Sequence, residues 1–245
     1  MAKGTSIEWS SATWNPVTGC KEISAGCLNC YARKMANRLQ KMGQANYRNG
    51  FQVTCHPHEL DRPKRWRKPE RIFVCSMADL FHADVPDLFI SQVFHTMQQC
   101  PQHTFMVLTK RTARLARIHR LLPWPPNVWC GVSLESRDWR TRLHTLRQVP
   151  AAVRFVSAEP LLESLLPVNL TGIHQVIVGG ESGHGARPMD PEWARELRDE
   201  CARQNVAFFM KQMGGRQDKR SEMADLPEDL RIRNWPEVQG NGRLF

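Results

Sequence analysis

The strongest constraint on the fold is a series of short apolar runs, separated by stretches of helical periodicity, that recurs from residue 50 onward. The runs cover residues 51–55, 72–76, 104–109, 128–133, 153–157, 176–180 and 206–210, and they are rich in Val, Ile and Phe. Their hydrophobicity is continuous rather than alternating. Strands of that kind are covered on both faces, as in a parallel sheet wrapped by helices. A further strand before Cys20 brings the count to about eight.

Helical periodicity falls over residues 31–42, 87–99, 114–121, 137–148 and 191–204. The last stretch opens on Asp190 as N-cap and Pro191 at the first helical position, a favourable start. Strand followed by helix, repeated, predicts an α/β chain: a complete or partial (β/α) TIM-like barrel with parallel strands. An open doubly wound sheet is the alternative. The 245 residues suit one such barrel. We assign it residues 1–215 and treat the polar stretch 216–245 as a loosely packed extension.

No apolar run approaches the roughly 18 residues of a membrane span. The residues after Met1 lack the continuous apolar segment of a secretory signal, so the cytoplasm is the default compartment. Eight cysteines are too sparse for a secreted disulfide framework in a chain this long. Cys75 and Cys130 lie inside apolar runs and suit the core. The net charge of +10 favours a polyanionic partner, with nucleic acid or a nucleotide as the leading candidate, although a solubilising surface explains the same excess. The run Arg62-Pro63-Lys64-Arg65-Trp66-Arg67-Lys68 joins five cations to an aromatic ring and is the preferred nucleic-acid contact, against the plainer reading of a solvated connection.

Three cysteines, Cys20, Cys27 and Cys30, crowd into eleven residues. A closed structural site takes four ligands, whereas three leave a metal position open. Zinc would need a fourth ligand such as His56 or His58 to close its tetrahedron. Thiolates suit zinc and iron–sulfur centres alike, so softness does not separate them. Position does: three thiolates in one loop after the first strand, at the mouth of a barrel, have the layout of a [4Fe–4S] cluster with one iron left open.

In a parallel barrel the working residues come from the carboxyl ends of the strands. Here those ends carry Ser76 and Asp79, then Lys110, then Ser133 and Glu135, then Glu159, then Gly179-Gly180-Glu181, then Lys211. Strand ends are often polar because the chain emerges into solvent, yet mixed carboxylates and lysines converging on one mouth would build a polar pocket. The turn Gly179-Gly180-Glu181-Ser182-Gly183 lacks the lysine and hydroxyl of a phosphate-binding loop and the spacing of a dinucleotide fingerprint. Asp79-Leu80-Phe81-His82-Ala83-Asp84 suits a proton-transfer pair, a metal site or a hydrogen-bonded clasp. No Ser-His-Asp or His-Glu-x-x-His context is present.

The three-cysteine loop after a first barrel strand resembles the radical S-adenosylmethionine superfamily, in which the cluster binds that cofactor and cleaves it to a 5′-deoxyadenosyl radical. The spacing departs from the usual pattern: six residues separate Cys20 from Cys27, Asn29 precedes Cys30, and the aromatic Tyr31 follows it. The chain also resembles a family of phage and bacterial three-cysteine proteins. The matching phrases are Ile7-Glu8-Trp9, Thr13 to Cys20, Cys27 to Ala32, Ser76 to His82, Leu108 to Arg111, Gly131 to Ser133, Ser157 to Leu161 and Val178 to Gly183. Within the superfamily it is nearest, on general similarity, to the spore photoproduct lyases, which repair a DNA lesion.

The resemblance implies a [4Fe–4S] cluster on Cys20, Cys27 and Cys30 and S-adenosylmethionine on the open iron. It makes Ser76, Ser133, Glu135, Gly179, Gly180 and Glu181 candidates for the cofactor pocket. Asp79, Lys110, Glu159 and Lys211 become candidates for substrate contact or proton supply. The expected activity is repair or modification of a nucleic acid or nucleotide, with an external electron donor and room for a partner protein. A zinc-stapled nucleic-acid-binding protein without catalysis is the alternative, and a barrel that senses the cofactor without turning it over is a third reading.

Overall fold

The computed structural model describes residues 5–237. Nine strands form in chain order: β1 Ala12–Trp14, β2 Val17–Thr18, β3 Thr54–Cys55, β4 Arg71–Val74, β5 Thr104–Thr109, β6 Val128–Ser133, β7 Arg154–Ala158, β8 Gln175–Gly179 and β9 Ala207–Gln212. The α-helices are α1 Tyr31–Lys41, α2 Asp87–Gln98, α3 Thr112–Ile118, α4 Thr141–Gln148 and α5 Pro191–Arg203. Asp190 caps α5 as its position implies, its side chain accepting a hydrogen bond from the Glu192 N–H at 2.9 Å. No helix among the described residues is long and apolar enough to cross a membrane.

Seven strands form one parallel sheet in the order β1-β4-β5-β6-β7-β8-β9. That order follows the chain without the reversal that a doubly wound sheet requires. The sheet curls into a half-barrel, so the barrel is partial. The expected count of eight strands is corrected to seven. Part of the run at 51–55 leaves the main sheet and pairs, as β3, with β2 in a two-stranded antiparallel arm.

The two faces of the sheet sort by alternation, as strand geometry requires. Ile72, Val74, Phe105, Val107, Val176 and Val178 meet α2, α3, α4 and α5 in one large core. Phe73, Met106, Trp129, Phe155, Ile177 and Phe209 meet on the inner face, joined by the buried Trp9. Each such side chain, fully buried, contributes roughly 1.5–3 kcal/mol. The inner face is therefore packed solid, and chemistry is left to its rim.

The described part of the C-terminal stretch is more firmly held than its polarity suggests. Leu226 and Leu230 are buried in the large core. The Trp235 ring packs edge-on against Phe209 of the inner face, centroids 5.3 Å apart, with the Arg71 guanidinium 3.6 Å above it. Lys219 donates to the Ser6 carbonyl at 2.6 Å and pairs with Glu8, joining the N-terminal segment to the residues that follow β9. A few well-spaced apolar residues suffice to dock a segment that is polar on average.

Candidate functional site

The cysteine loop begins where β1 ends. The Asn15 side-chain oxygen accepts from Ser76 Oγ at 3.2 Å and from the Met77 N–H at 3.1 Å, tying the β1 exit to the β4 exit. Gly19 donates to the Met77 carbonyl at 3.0 Å and Cys20 to the Phe51 carbonyl at 3.3 Å, so the small arm supports the first cysteine. A short helical turn, Ala25–Cys27, presents Cys27, and Cys30 lies immediately before α1. All three thiols are free and half-buried.

Their surroundings differ. Burial raises the Cys20 thiol pKa, as does Asp79, against the Arg111 guanidinium whose Nη2 lies 3.7 Å from Sγ. Burial also pushes Cys27 up, but a backbone hydrogen bond, Lys110 and Ser24 outweigh it and hold that thiol below its ordinary value.

The loop folds back over the strand ends. A Cβ on Gly26 would stand 2.8 Å from Lys110 Nζ and 3.1 Å from Glu135, so the loop lies directly on this pair and a larger residue would push the lysine end aside. Asn29 donates to Glu181 at 2.9 Å and to the Gly185 carbonyl at 2.8 Å. Arg187 donates to the Ala25 carbonyl at 3.0 Å. The Tyr31 hydroxyl donates to the Ser76 carbonyl. Four ties thus clamp the cysteines to the mouth.

Beneath the loop lie two Lys–Glu pairs. Lys110 meets Glu135 at 3.3 Å and Lys211 meets Glu159 at 2.6 Å, with Ser157 donating to Glu159 at 2.9 Å. Arg142 holds the other oxygen of Glu135 at 2.7 Å and the Ser133 carbonyl at 2.8 Å. Burial pushes the Glu135 carboxyl up, but Lys110 and Arg142 more than offset it and the pKa is lowered. Residues 110, 135, 159 and 211 share the parity of the inner-face residues 106, 129, 155 and 209, which brings them to one rim.

The remaining predicted site residues are engaged within the protein. Asp79 accepts from Thr109 Oγ1 at 2.7 Å, from the Lys110 N–H at 3.0 Å and from the Phe81 N–H at 3.0 Å, clasping the β4 and β5 exits. Glu181 is taken up by Arg187 and Asn29. Gly180 packs where a Cβ would lie 2.1 Å from the Met213 carbonyl oxygen. Ser133 ends β6 and is buried. Gly26, Asn29, Arg142 and Arg187 complete the site without having been legible in advance: Asn29 and Arg187 act through partners more than 150 residues away, Gly26 through a loop contact, and Arg142 from inside a helix whose pattern does not mark it.

Two further expectations can be placed. The basic run at 62–68 precedes β4 and lies at the amino end of the sheet, where Trp66 packs on His103, and not at the mouth. Arg62 is neutralised by Glu59 at 3.0 Å and Lys64 by Asp61 at 2.6 Å. The histidines offered as closing zinc ligands are bonded elsewhere: His56 to Thr18 at 2.8 Å and His58 to Asn46 at 3.0 Å. Among the described residues no three His, Cys, Asp or Glu side chains converge on a point that could hold a metal ion. A single zinc needs such convergence. A cubane shared by three thiolates needs them near one another as well, and Cys27 lies close enough to Cys20 to help raise its thiol pKa.

A parallel half-barrel whose first loop lays three free cysteines over a charged rim defines an α/β protein of the partial TIM-barrel class. The chain belongs to the family described as protein of unknown function (DUF5131), which it matches over residues 4–238. No curated protein matches the sequence. Among solved structures it is similar to a cysteine-to-serine mutant of spore photoproduct lyase, at 14% identity and a TM-score of 0.50, covering 87% of this chain and 59% of that one. Spore photoproduct lyase complexed with dinucleoside spore photoproduct gives 12% identity and a TM-score of 0.45, covering 75% and 58%. The chain thus spans less than two thirds of the lyase's length. At such identity the likeness to the mutant speaks for the fold, a partial barrel of the same kind.

Proposed function

We propose that the protein is a radical S-adenosylmethionine enzyme. Cys20, Cys27 and Cys30 would hold a [4Fe–4S] cluster whose fourth iron takes S-adenosylmethionine, and the substrate would be a nucleic acid or nucleotide. The observation that carries this reading is the loop of three free thiols clamped over the Lys110–Glu135 pair at the carboxyl end of a partial barrel. The chemistry of the donor set suits the group: three free, half-buried thiols in one loop, of which Cys27 is held below its ordinary pKa. The zinc-stapled binder lacks its closing ligand. When bound, cluster and cofactor would supply one-electron chemistry for hydrogen abstraction, and the protein's part is to aim it and exclude water.

The chain's own residues suit that part. The packed inner face keeps bulk water from below the rim. Glu135 and Glu159 would accept from an ammonium or a ribose hydroxyl, and Lys110 and Lys211 would donate to a carboxylate or phosphate. Arg142 fixes Glu135, and Asn29 and Arg187 fix the loop. The cytoplasm, where thiols stay reduced, suits such a site, and an external donor would supply the electron.

Anaerobic reconstitution with iron and sulfide tests the reading. The expected result is a brown protein with about four irons per chain that releases 5′-deoxyadenosine under reduction, and neither in Cys27→Ala. A colourless protein carrying one zinc overturns it.

A further inference from the structure

On the helix side of the same mouth, between the exits of β4, β5 and β6, lies a cleft of about 330 Å³. Lys110, Arg111, Arg114 and Arg142 line it together with the hydroxyl residues Thr112 and Thr141, and no carboxylate among the described residues does. Arg114 is committed to the carbonyls of His82, Ala83 and Val85 and to Asp87. The other three cations are not fully used. Arg142, 1% exposed, spends Nη1 on Glu135 and Ser133, while its Nε and Nη2 have no hydrogen-bond partner. Lys110 Nζ, 3.3 Å from Glu135, and Arg111 Nε, 4.0 Å from Asp79, are likewise buried, each ion-paired but without a hydrogen bond.

Buried donors without acceptors are costly, and those of a guanidinium more so. Several around one cleft point to an acceptor-rich ligand. The first turn of α4 opens at Thr141 on the cleft wall with no side-chain cap, adding the positive end of the helix dipole. Trp139 keeps the Arg142 guanidinium in place, 4.0 Å above its ring. Donors from three side chains and a helix end suit a tetrahedral anion better than a planar carboxylate, which a single guanidinium fork already satisfies.

We propose that this cleft binds a phosphate group, and that the phosphate is a backbone phosphodiester of a nucleic-acid strand reaching the mouth. Ile23 of the cysteine loop forms part of the wall, and Arg111 lies both on the cleft and 3.7 Å from Cys20 Sγ. A strand anchored there is delivered beside the thiols. The assignment of the phosphate to nucleic acid rests on the proposed function; the anion site rests on the cation-lined cleft and its donors that lack hydrogen bonds.

Binding of a short single-stranded DNA at low salt, with inorganic phosphate as competitor, tests this by titration calorimetry on reconstituted and on cluster-free protein. Lys110→Met should weaken DNA binding about tenfold and reduce the salt slope by about one. Arg142→Lys, which keeps the charge and loses the fork, should weaken it less while its melting curve remains cooperative. Folded variants that bind DNA with unchanged affinity and slope overturn the site. Inorganic phosphate that binds in a Lys110-dependent manner without being displaced by DNA overturns the nucleic-acid source. Loss of binding in the variants with and without the cluster upholds the cleft even where the radical chemistry fails.

Discussion

Glu159 reaches Lys211 at 2.6 Å across the strand that separates them, because β8 presents Gly179 at the crossing point. A Cβ there would stand 2.9 Å from Glu159 Oε1. Gly179→Ala should therefore push the Glu159 carboxylate aside and part the pair at a cost of about 1 kcal/mol, a fall in Tm of a few degrees for a chain this size. Thermal unfolding checks it. In the Gly179→Ala background Lys211→Met should cost almost nothing further, because a contact already broken cannot be broken again. Additive losses would show that the glycine acts elsewhere.

The fold was legible because fully covered parallel strands leave continuous apolar runs, and β5, β6 and β8 are buried along almost their whole length. The run at 51–55 misled because a short arm beside a core carries the same apolar residues as a sheet strand. Lys110, Glu135, Glu159 and Lys211 were legible from their place after each run. The clamps were not: Asn29 and Glu181 lie 152 residues apart, and no local pattern joins them. The basic run at 62–68 precedes its strand, which by itself places it at the end opposite the mouth.

Acidification should expose the clamp. Burial pushes the Glu181 carboxyl up, but its bonds to Arg187 and Asn29 prevail, and its pKa in the folded protein lies below the ordinary carboxylate value. A lowered folded pKa gives stability that is complete above the unfolded value and is lost as pH falls through the folded one. Wild-type Tm should therefore fall more steeply than that of Glu181→Gln from roughly pH 5 downward. Parallel curves would mean that Glu181 contributes no proton-linked stability.

Asn29 holds the cysteine loop by two hydrogen bonds, and its loss should be felt locally. Asn29→Ala should cost about 1–2 kcal/mol and speed amide hydrogen exchange in residues 25–31 while leaving the β5 and β6 amides protected. Asn29→Asp should be worse, since it sets a carboxylate against Glu181. Exchange that rises uniformly across the sheet in either variant would show global destabilisation in place of a released loop.

The cysteines should differ in reactivity in the metal-free protein, because the thiolate is the nucleophile. Cys27, held low by its backbone hydrogen bond, Lys110 and Ser24 against the pull of burial, should be alkylated by iodoacetamide ahead of Cys20, whose thiol is raised by burial and Asp79. Cys75 and Cys130, both buried and raised, should react last, together with Cys201, which burial pushes up to about 12. Peptide mass spectrometry after short exposure near pH 8 gives the order. Ser24→Ala should slow Cys27 and leave Cys20 unchanged, because Ser24 Oγ lies 3.7 Å from Cys27 Sγ and does not figure in the surroundings that shift Cys20. Equal rates for Cys20 and Cys27 would mean that the loop does not hold the two thiols in distinct environments.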